Sequence, residues 1–572
     1  MRHGSQRSVE ASCCRLSRRE IAGWAALAIG LAVAIAVAVL ALVPDAMDPG
    51  NFGRWMPALA GASAAGWLVC WIVERRLGRA HPAFTAAFGA LALAVVFVHG
   101  GQRLYGSLSG DYLRTWNVYH YYVGSKYFRE LGYRDLYAAT LAADDEWLES
   151  GGSPSEGFAH VDRTRDMASY EVIDREQATA GYDRSAFGDE RWEQLGRDTR
   201  ALRSHLADRL WKKVLRDWGY NPPPSWTIVG TPLSNLIPAD SSAMRLIANL
   251  DLLLFAAMFG FLWWAFGLRA ALIATLWANL IHFNRGRFFG GFLQYDWLAS
   301  SVISVCLYHR GRGAAAGAML SWGAMTRFFP GLMALPIALG ALAEAVRGEG
   351  PLWKRPRRRR LRFLAGLAIA CAVLFGASTL TGRGARAWDE WIDNIARHSE
   401  VLHLDPMHLG AGRLAQHDPA DDDFWGGHHR GSREERLESG KNPLLAMRLF
   451  GGLLLLVALL RRRDEDAMIL VLLAAFLAVT MTRYYGTIWV LLFLLGVRDR
   501  LGRIPWPSLV AGSILLTMAA LFYAPGDNWA RYTLACWEAL ALLVVLCGGY
   551  IASDVKDWIT RGGCARKALA RK

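Results

Sequence analysis

The chain has 572 residues, 53% of them hydrophobic and 20% charged. Its apolar residues gather into blocks of about 15–23 residues with almost no charge, which excludes a soluble enzyme, a fibrous or disordered chain, and an outer-membrane barrel of short alternating strands. The net charge of +14 comes mostly from tails and short loops between the blocks, where it sets orientation in the membrane, so no nucleic-acid partner is expected.

The blocks predict an all-α polytopic membrane protein with about 12–14 transmembrane helices and two large extracytoplasmic loops. In chain order the spans fall at 21–43, 55–73, 84–104, 246–266, 270–284, 296–308, 314–328, 331–346, 361–381, 443–460, 466–482, 485–497, 507–523 and 534–552. The first is too long for a signal-peptide core and lacks a small-x-small cleavage site, so it reads as a retained anchor. The pair 314–328 and 331–346 flanks Pro330 and fits two short spans, a re-entrant hairpin or one broken helix.

The resulting organisation is a cytoplasmic tail with two N-terminal spans (1–83), a span (84–104), a first large loop (105–245), a transmembrane core (246–381), a second large loop (382–442), C-terminal helices (443–552) and a basic tail (553–572). The tails and short loops on one side carry 31 Lys and Arg residues, including the run Arg357–Arg360. The positive-inside rule makes that side cytoplasmic, with both termini inside, as expected for the inner membrane. The two large loops carry 17 basic against 21 acidic and 8 against 12 acidic residues, and translocate regardless of charge. All eight cysteines fall in spans or cytoplasmic tails, so no disulfide scaffold is implied. No Walker A, GxGxxG or HExxH pattern occurs, which leaves ATP-driven transport and dinucleotide chemistry without support.

The first loop opens with GDYLRTWNVYHYYVGSKYFRELGYRDLY, residues 110–137, where Tyr and Trp alternate with Arg114, Lys126, Arg129 and Arg134. Such residues favour headgroup depth, so 115–131 is expected to form an interfacial amphipathic helix ending near Gly132. Asp111 sits just past a span, where a carboxylate is costly unless it has a role. It fits a helix N-cap as well as a catalytic group, and the two are compatible. Residues 144–216 are charged and helix-favouring and read as an external cap or partner surface, followed by the extended run Pro222–Pro224.

Downstream, Asp296 lies in FNRGRFFGGFLQYDWLA (283–299) and Arg327 in the apolar stretch GAMLSWGAMTRFFPGLMALPIAL (317–339). Arg483 stands in TRYYG between two short spans. The second loop starts with the amphipathic segment WDEWIDNIARHSE (388–400) and holds six histidines and Asp421–Asp423. Their spacing matches no metal-ligand motif, so a solvated loop is expected, with no metal and no cofactor.

These stretches resemble the polytopic GT-C glycosyltransferases. The nearest branch is the polyprenol-phosphate-mannose-dependent mannosyltransferase-like group, and the likeness covers roughly residues 84–500. The resemblance implies transfer of a sugar from a polyprenyl-phosphate donor to a glycan, lipid or protein acceptor on the external face, by inversion. That chemistry needs a carboxylate to take the acceptor proton and cations to hold the leaving phosphate. Asp111 is the expected base. Arg114, Lys126, Arg285, Arg287, Arg327 and Arg483 are the clamp candidates, with Asn117, His120, Tyr121, Asp296, Asn394 and His398 as further substrate contacts. A lipid-linked saccharide transporter, or a non-enzymatic envelope-assembly protein, would share the spans without needing the carboxylate.

Overall fold

In a membrane the backbone must satisfy its own hydrogen bonds, so long uncharged apolar blocks become helices. The computed structural model describes residues 52–110, 112–240, 242–283, 288–347, 358–402, 408–416, 433–498, 502–523 and 528–569. The expected first span, 21–43, lies outside the described residues. Every later one coincides with a helix or a run of short helices. Among the described residues five helices are long and apolar enough to cross a membrane: Met244–Phe266, Phe329–Arg347, Arg358–Ser378, Glu438–Leu459 and Arg531–Thr560. Large apolar side chains point outward from them, such as Leu253, Ile369, Leu449 and Phe450, each about two-thirds exposed. A water-soluble surface would not carry them. The chain is an all-α membrane protein.

The remaining segments are shorter. Asp296–His309 has 14 residues, a rise of about 21 Å against a hydrocarbon thickness of about 30 Å. Residues Asp296 to Tyr308 are all buried, so this helix stands inside the bundle. Around Pro330 the chain turns back as a pair of short antiparallel helices: Gly313 lies against Arg359 and Glu344 pairs with Arg360, so both outer ends stand at the same end of the bundle, and a Cβ at Gly331 would meet that of Ala324 at 3.3 Å. Gly313–Thr326 ends at Arg327, whose backbone is extended (φ −150°, ψ 106°), and a 3₁₀ turn Phe329–Ala334 leads into Leu335–Arg347. Gly313–Thr326 also packs closely on Arg358–Ser378. A Cβ at Gly317 would stand 1.9 Å from the Phe363 carbonyl oxygen, and one at Gly366 2.1 Å from that of Ala314. Small residues are what allow such backbone approach in a bilayer.

At the end of the bundle that carries the basic loops, several arginines are paired rather than solvated. Arg269 meets Glu74 at 2.7 Å, Arg359 meets Glu465 at 2.7 Å, and Arg360 bridges Asp464 and Glu344 (2.5 and 2.9 Å).

Residues 112–240 and the helix Arg386–Leu402 form a separate body at the other end, with its own aromatic core. The Tyr-rich stretch departs from the expected interfacial helix. It breaks into Thr115–Val118, a π-helical turn Tyr119–Val123, Gly124–Lys126 and Phe128–Leu131, closing at Gly132 (φ 55°). Tyr119, Tyr122 and Tyr127 are fully buried. Tyr119 faces Trp211 and Tyr137, Tyr127 faces Phe187, and the neighbouring Phe128 faces Tyr220, rather than lipid. The charged stretch that follows supplies the covering: a hairpin Arg163–Arg165 with Val172–Asp174, and helices Asp189–Arg203 and Asp208–Val214 whose Trp192, Leu195 and Trp211 pack inward.

Candidate functional site

The two bodies meet where the loop domain sits on the helix ends, and several of the sequence candidates converge there. Asp296 opens its buried helix. Its Oδ1 accepts from the Trp297 backbone N–H (2.8 Å) and its Oδ2 from Trp322 Nε1 (2.9 Å). Arg327, 7% exposed, lies in the turn between the two neighbouring helices, within the electrostatic reach of Asp296. Its Nη1 donates to the Thr326 carbonyl (2.7 Å) and its Nη2 to the Tyr121 hydroxyl. The buried Nε has no hydrogen-bond partner among the described residues. The guanidinium lies 5.5 Å from the Tyr121 ring centroid and 6.0 Å from that of Tyr485. Burial pushes the Tyr121 phenol above its ordinary pKa, with Arg327 opposing, so Tyr121 stays protonated.

Tyr121 reaches Arg327 from the π-helical turn, a widened geometry that recurs at functional sites. Its ring is held edge-on against Trp226 at 4.9 Å, and Trp226 in turn against Phe292 at 5.3 Å. Tyr484 and Tyr485 close another side, with Tyr485 against Trp297 and Phe329 (5.4 and 5.2 Å).

Arg114 and Asn117 brace this site rather than line it. The segment 288–295, which delivers Asp296, runs back through the loop domain. The Arg114 N–H donates to Gly290 O (2.8 Å), Arg114 Nη1 to Gln294 Oε1, and Asn117 Oδ1 accepts from the Phe292 N–H (2.7 Å). Asp251, a carboxylate inside a span, accepts from Gln294 N and Tyr295 N, both at 3.0 Å. The brace holds a strained backbone. Leu293 has φ 46°, and Gly290 (φ 75°) lets Tyr112 come within 2.9 Å of where a Cβ would stand.

The other candidates are placed elsewhere. Lys126 is in a buried ion pair with Asp198 at 2.7 Å and donates to the Tyr122 hydroxyl. His120 lies between the Trp116 carbonyl and the Tyr137 hydroxyl (2.7 Å each), and burial lowers its pKa. Asn394 bonds Tyr170 (2.6 Å) and Asn221 (2.9 Å), while His398 faces the rings of Tyr170 and Trp218. Arg483 turns away from its Tyr neighbours, toward Phe522 and Tyr532 (5.3 and 5.4 Å). Asp111, Arg285 and Arg287 lie outside the described residues, as do His403, His417, His428, His429 and Asp421–Asp423. Among the described residues no group of His, Cys, Asp and Glu is arranged to hold a metal.

Sequence reasoning passed over Asp251, Gln294, Trp322, Tyr484 and Tyr485, and the pair His282–Glu538, fully buried at 3.4 Å. Asp251 and Glu538 each carried a signal, a lone carboxylate within an apolar block. The chain matches no protein-family model, no curated protein and no solved structure.

Proposed function

We propose that the chain is a GT-C-type glycosyltransferase of the inner membrane, with both termini cytoplasmic and about 12–14 spans. It transfers a sugar from a polyprenyl-phosphate donor to a glycan, lipid or protein acceptor on the extracytoplasmic face, with inversion. The carrying observation is the buried grouping of Arg327, Asp296, Tyr121 and the Tyr484–Tyr485 pair at the seam between the helices and the loop domain. A guanidinium buried away from water is costly unless it serves a partner. Arg327 is suited to a phosphate, since it keeps its charge and has an N–H to spare. In the reaction the acceptor oxygen bonds to the anomeric carbon as its proton passes to the carboxylate. The bond from that carbon to the phosphate oxygen breaks, and polyprenyl phosphate leaves under Arg327. Asp111 is our base, with Asp296 as a carboxylate within the electrostatic reach of Arg327.

The test is sugar transfer by the purified full chain with a panel of polyprenyl-phosphate sugars. Asp111→Asn is expected to lower turnover by about 10²–10⁴ with donor binding kept. Arg327→Ala is expected to weaken donor binding at least about tenfold, or about 1.4 kcal/mol. Activity lost in Asp296→Asn but kept in Asp111→Asn moves the base and keeps the class. Near-wild-type transfer by all three variants overturns it.

A second reading, a lipid-linked saccharide transporter, draws on Glu538 and His282, a titratable pair buried within the helices as proton-coupled carriers use. It is favoured if Glu538→Gln abolishes lipid-sugar translocation while Asp111→Asn is silent.

A further inference from the structure

At the end of the bundle opposite the loop domain, the helices Met244–Phe266 and Asp296–His309 leave a groove between them on the lipid-facing surface. Its volume is about 510 Å³, and it is lined by Ala257, Gly260, Phe261, Trp264, Leu307 and Arg312. Ala257, Gly260, Phe261 and Trp264 recur at helical spacing on one face of a single helix, so the groove runs about 10 Å into the membrane. Its floor is apolar and Gly260 is open, with no atom within 4 Å of where a Cβ would stand. A short polar ion would gain nothing from such a floor, whereas an acyl chain fits it.

The mouth is different. Arg310 and Arg312 place their guanidinium groups 5.1 and 5.6 Å from the Trp264 ring centroid. Arg310 Nη2 also donates to the Trp264 carbonyl, which fixes that charge beside the opening. Both side chains are exposed, and among the described residues neither is in an ion pair with a carboxylate. Their neighbours Arg269, Arg359 and Arg360, at the same end, are all so paired. Arg312 also precedes the first turn of Gly313–Thr326, a helix start with no side-chain cap, so its partial positive charge adds to the two cations. Trp264 and its exposed neighbour Trp263 mark headgroup depth.

We propose that this groove is a binding site for a phospholipid with an anionic headgroup, one acyl chain along Gly260 and Phe261 and the phosphate between Arg310 and Arg312. The site is independent of the sugar-transfer reading, because it lies at the other end of the molecule and uses none of that site's residues.

Native mass spectrometry of the detergent-purified full chain tests it, with dioleoyl phosphatidylglycerol titrated against dioleoyl phosphatidylcholine. Wild type is expected to retain one phosphatidylglycerol with a preference of about 25-fold, two basic groups each contributing about fivefold. Arg310→Gln/Arg312→Gln should bring the preference close to one with phosphatidylcholine retention unchanged. Gly260→Leu, whose Cβ meets nothing within 4 Å and whose side chain enters the groove while both arginines stay in place, should reduce retention of both lipids. Equal retention of the two lipids by wild type, meaning annular lipid only, overturns the proposal. So does phosphatidylglycerol retention that neither variant alters.

Discussion

His120 shows how a side chain that reads as a substrate contact is used up by its own neighbourhood. A carbonyl only accepts, so Nδ1–H must donate to Trp116 O, and Nε2 accepts from the Tyr137 hydroxyl, which itself receives the Gly219 N–H (2.8 Å). The neutral ring satisfies every partner. Burial lowers its pKa, with the Asp217 charge and the Trp116 carbonyl opposing, and the Tyr119 ring packs edge-on against it. A depressed folded-state value means that the unfolded chain binds the extra proton first, so this contribution is complete above about pH 6.5 and is lost as pH falls below it. Thermal unfolding of the purified protein is therefore expected to show a steeper loss of stability from pH 7 to pH 5 in wild type than in His120→Gln. Asp135, whose carboxyl burial raises against Arg383 and Arg134, titrates alike in both proteins and cancels in the difference. Parallel curves would remove His120 from the account. The same logic separates what the sequence carried at this scale. Arg327 was legible because a lone Arg in an apolar block demands a partner. The fates of Lys126 and Asn394 were not, since Asp198 and Asn221 are tens to hundreds of residues away in the chain and no local pattern pairs them.

Elements were read well where hydropathy alone decides them. Spans such as 246–266 and 361–381 coincide with Met244–Phe266 and Arg358–Ser378, because about twenty mostly apolar residues, with a single charge in each span, have one stable backbone solution in a bilayer. The Tyr-rich stretch failed for the converse reason. Aromatic residues interleaved with Arg and Lys suit a headgroup layer and a protein core equally well, and only the distant hairpin and helices of 163–214 make it a core. The Pro330 region shows a third case, in which the break was visible but its purpose depended on the partner helix. Gly317 serves that partner. Leu at this position would drive its Cβ into the Phe363 carbonyl oxygen and the Leu367 nitrogen, backbone atoms that cannot step aside. We expect Gly317→Leu to destabilise the detergent-solubilised protein by about 1–3 kcal/mol or more. Gly376→Ala, in the facing helix with nothing within 4 Å of its new Cβ, should leave the melting temperature unchanged or raise it slightly. Equal losses in the two variants would mean that the glycines do not set the helix approach.

For the whole molecule, the arrangement turns on which compartment the loop domain faces, and that depends on when the charges act. Arg269, Arg359, Arg360 and Arg462 are paired with Glu74, Glu465, Asp464 and Asp554 in the folded protein, which leaves fewer bare cations at that end than the sequence count of 31. Orientation, however, is decided during insertion, before Asp464 has met Arg360 across the bundle, and Asp and Glu contribute little to it. All 31 therefore count toward topology, though only part of them remains as surface charge. Reporter fusions at residues 180 and 420 are expected to read outside, and those at 355 and 565 inside. The position of Arg327 makes this a test of function as well. Its turn lies at the loop-domain end, next to Tyr121 of that domain, so a sugar donor gripped there is presented wherever residue 180 resides. An inside signal at 180 would leave the seam facing the cytoplasm and would sink the extracytoplasmic transferase. The lipid groove at Arg310 and Arg312 would then face the opposite leaflet, with its chemistry unchanged.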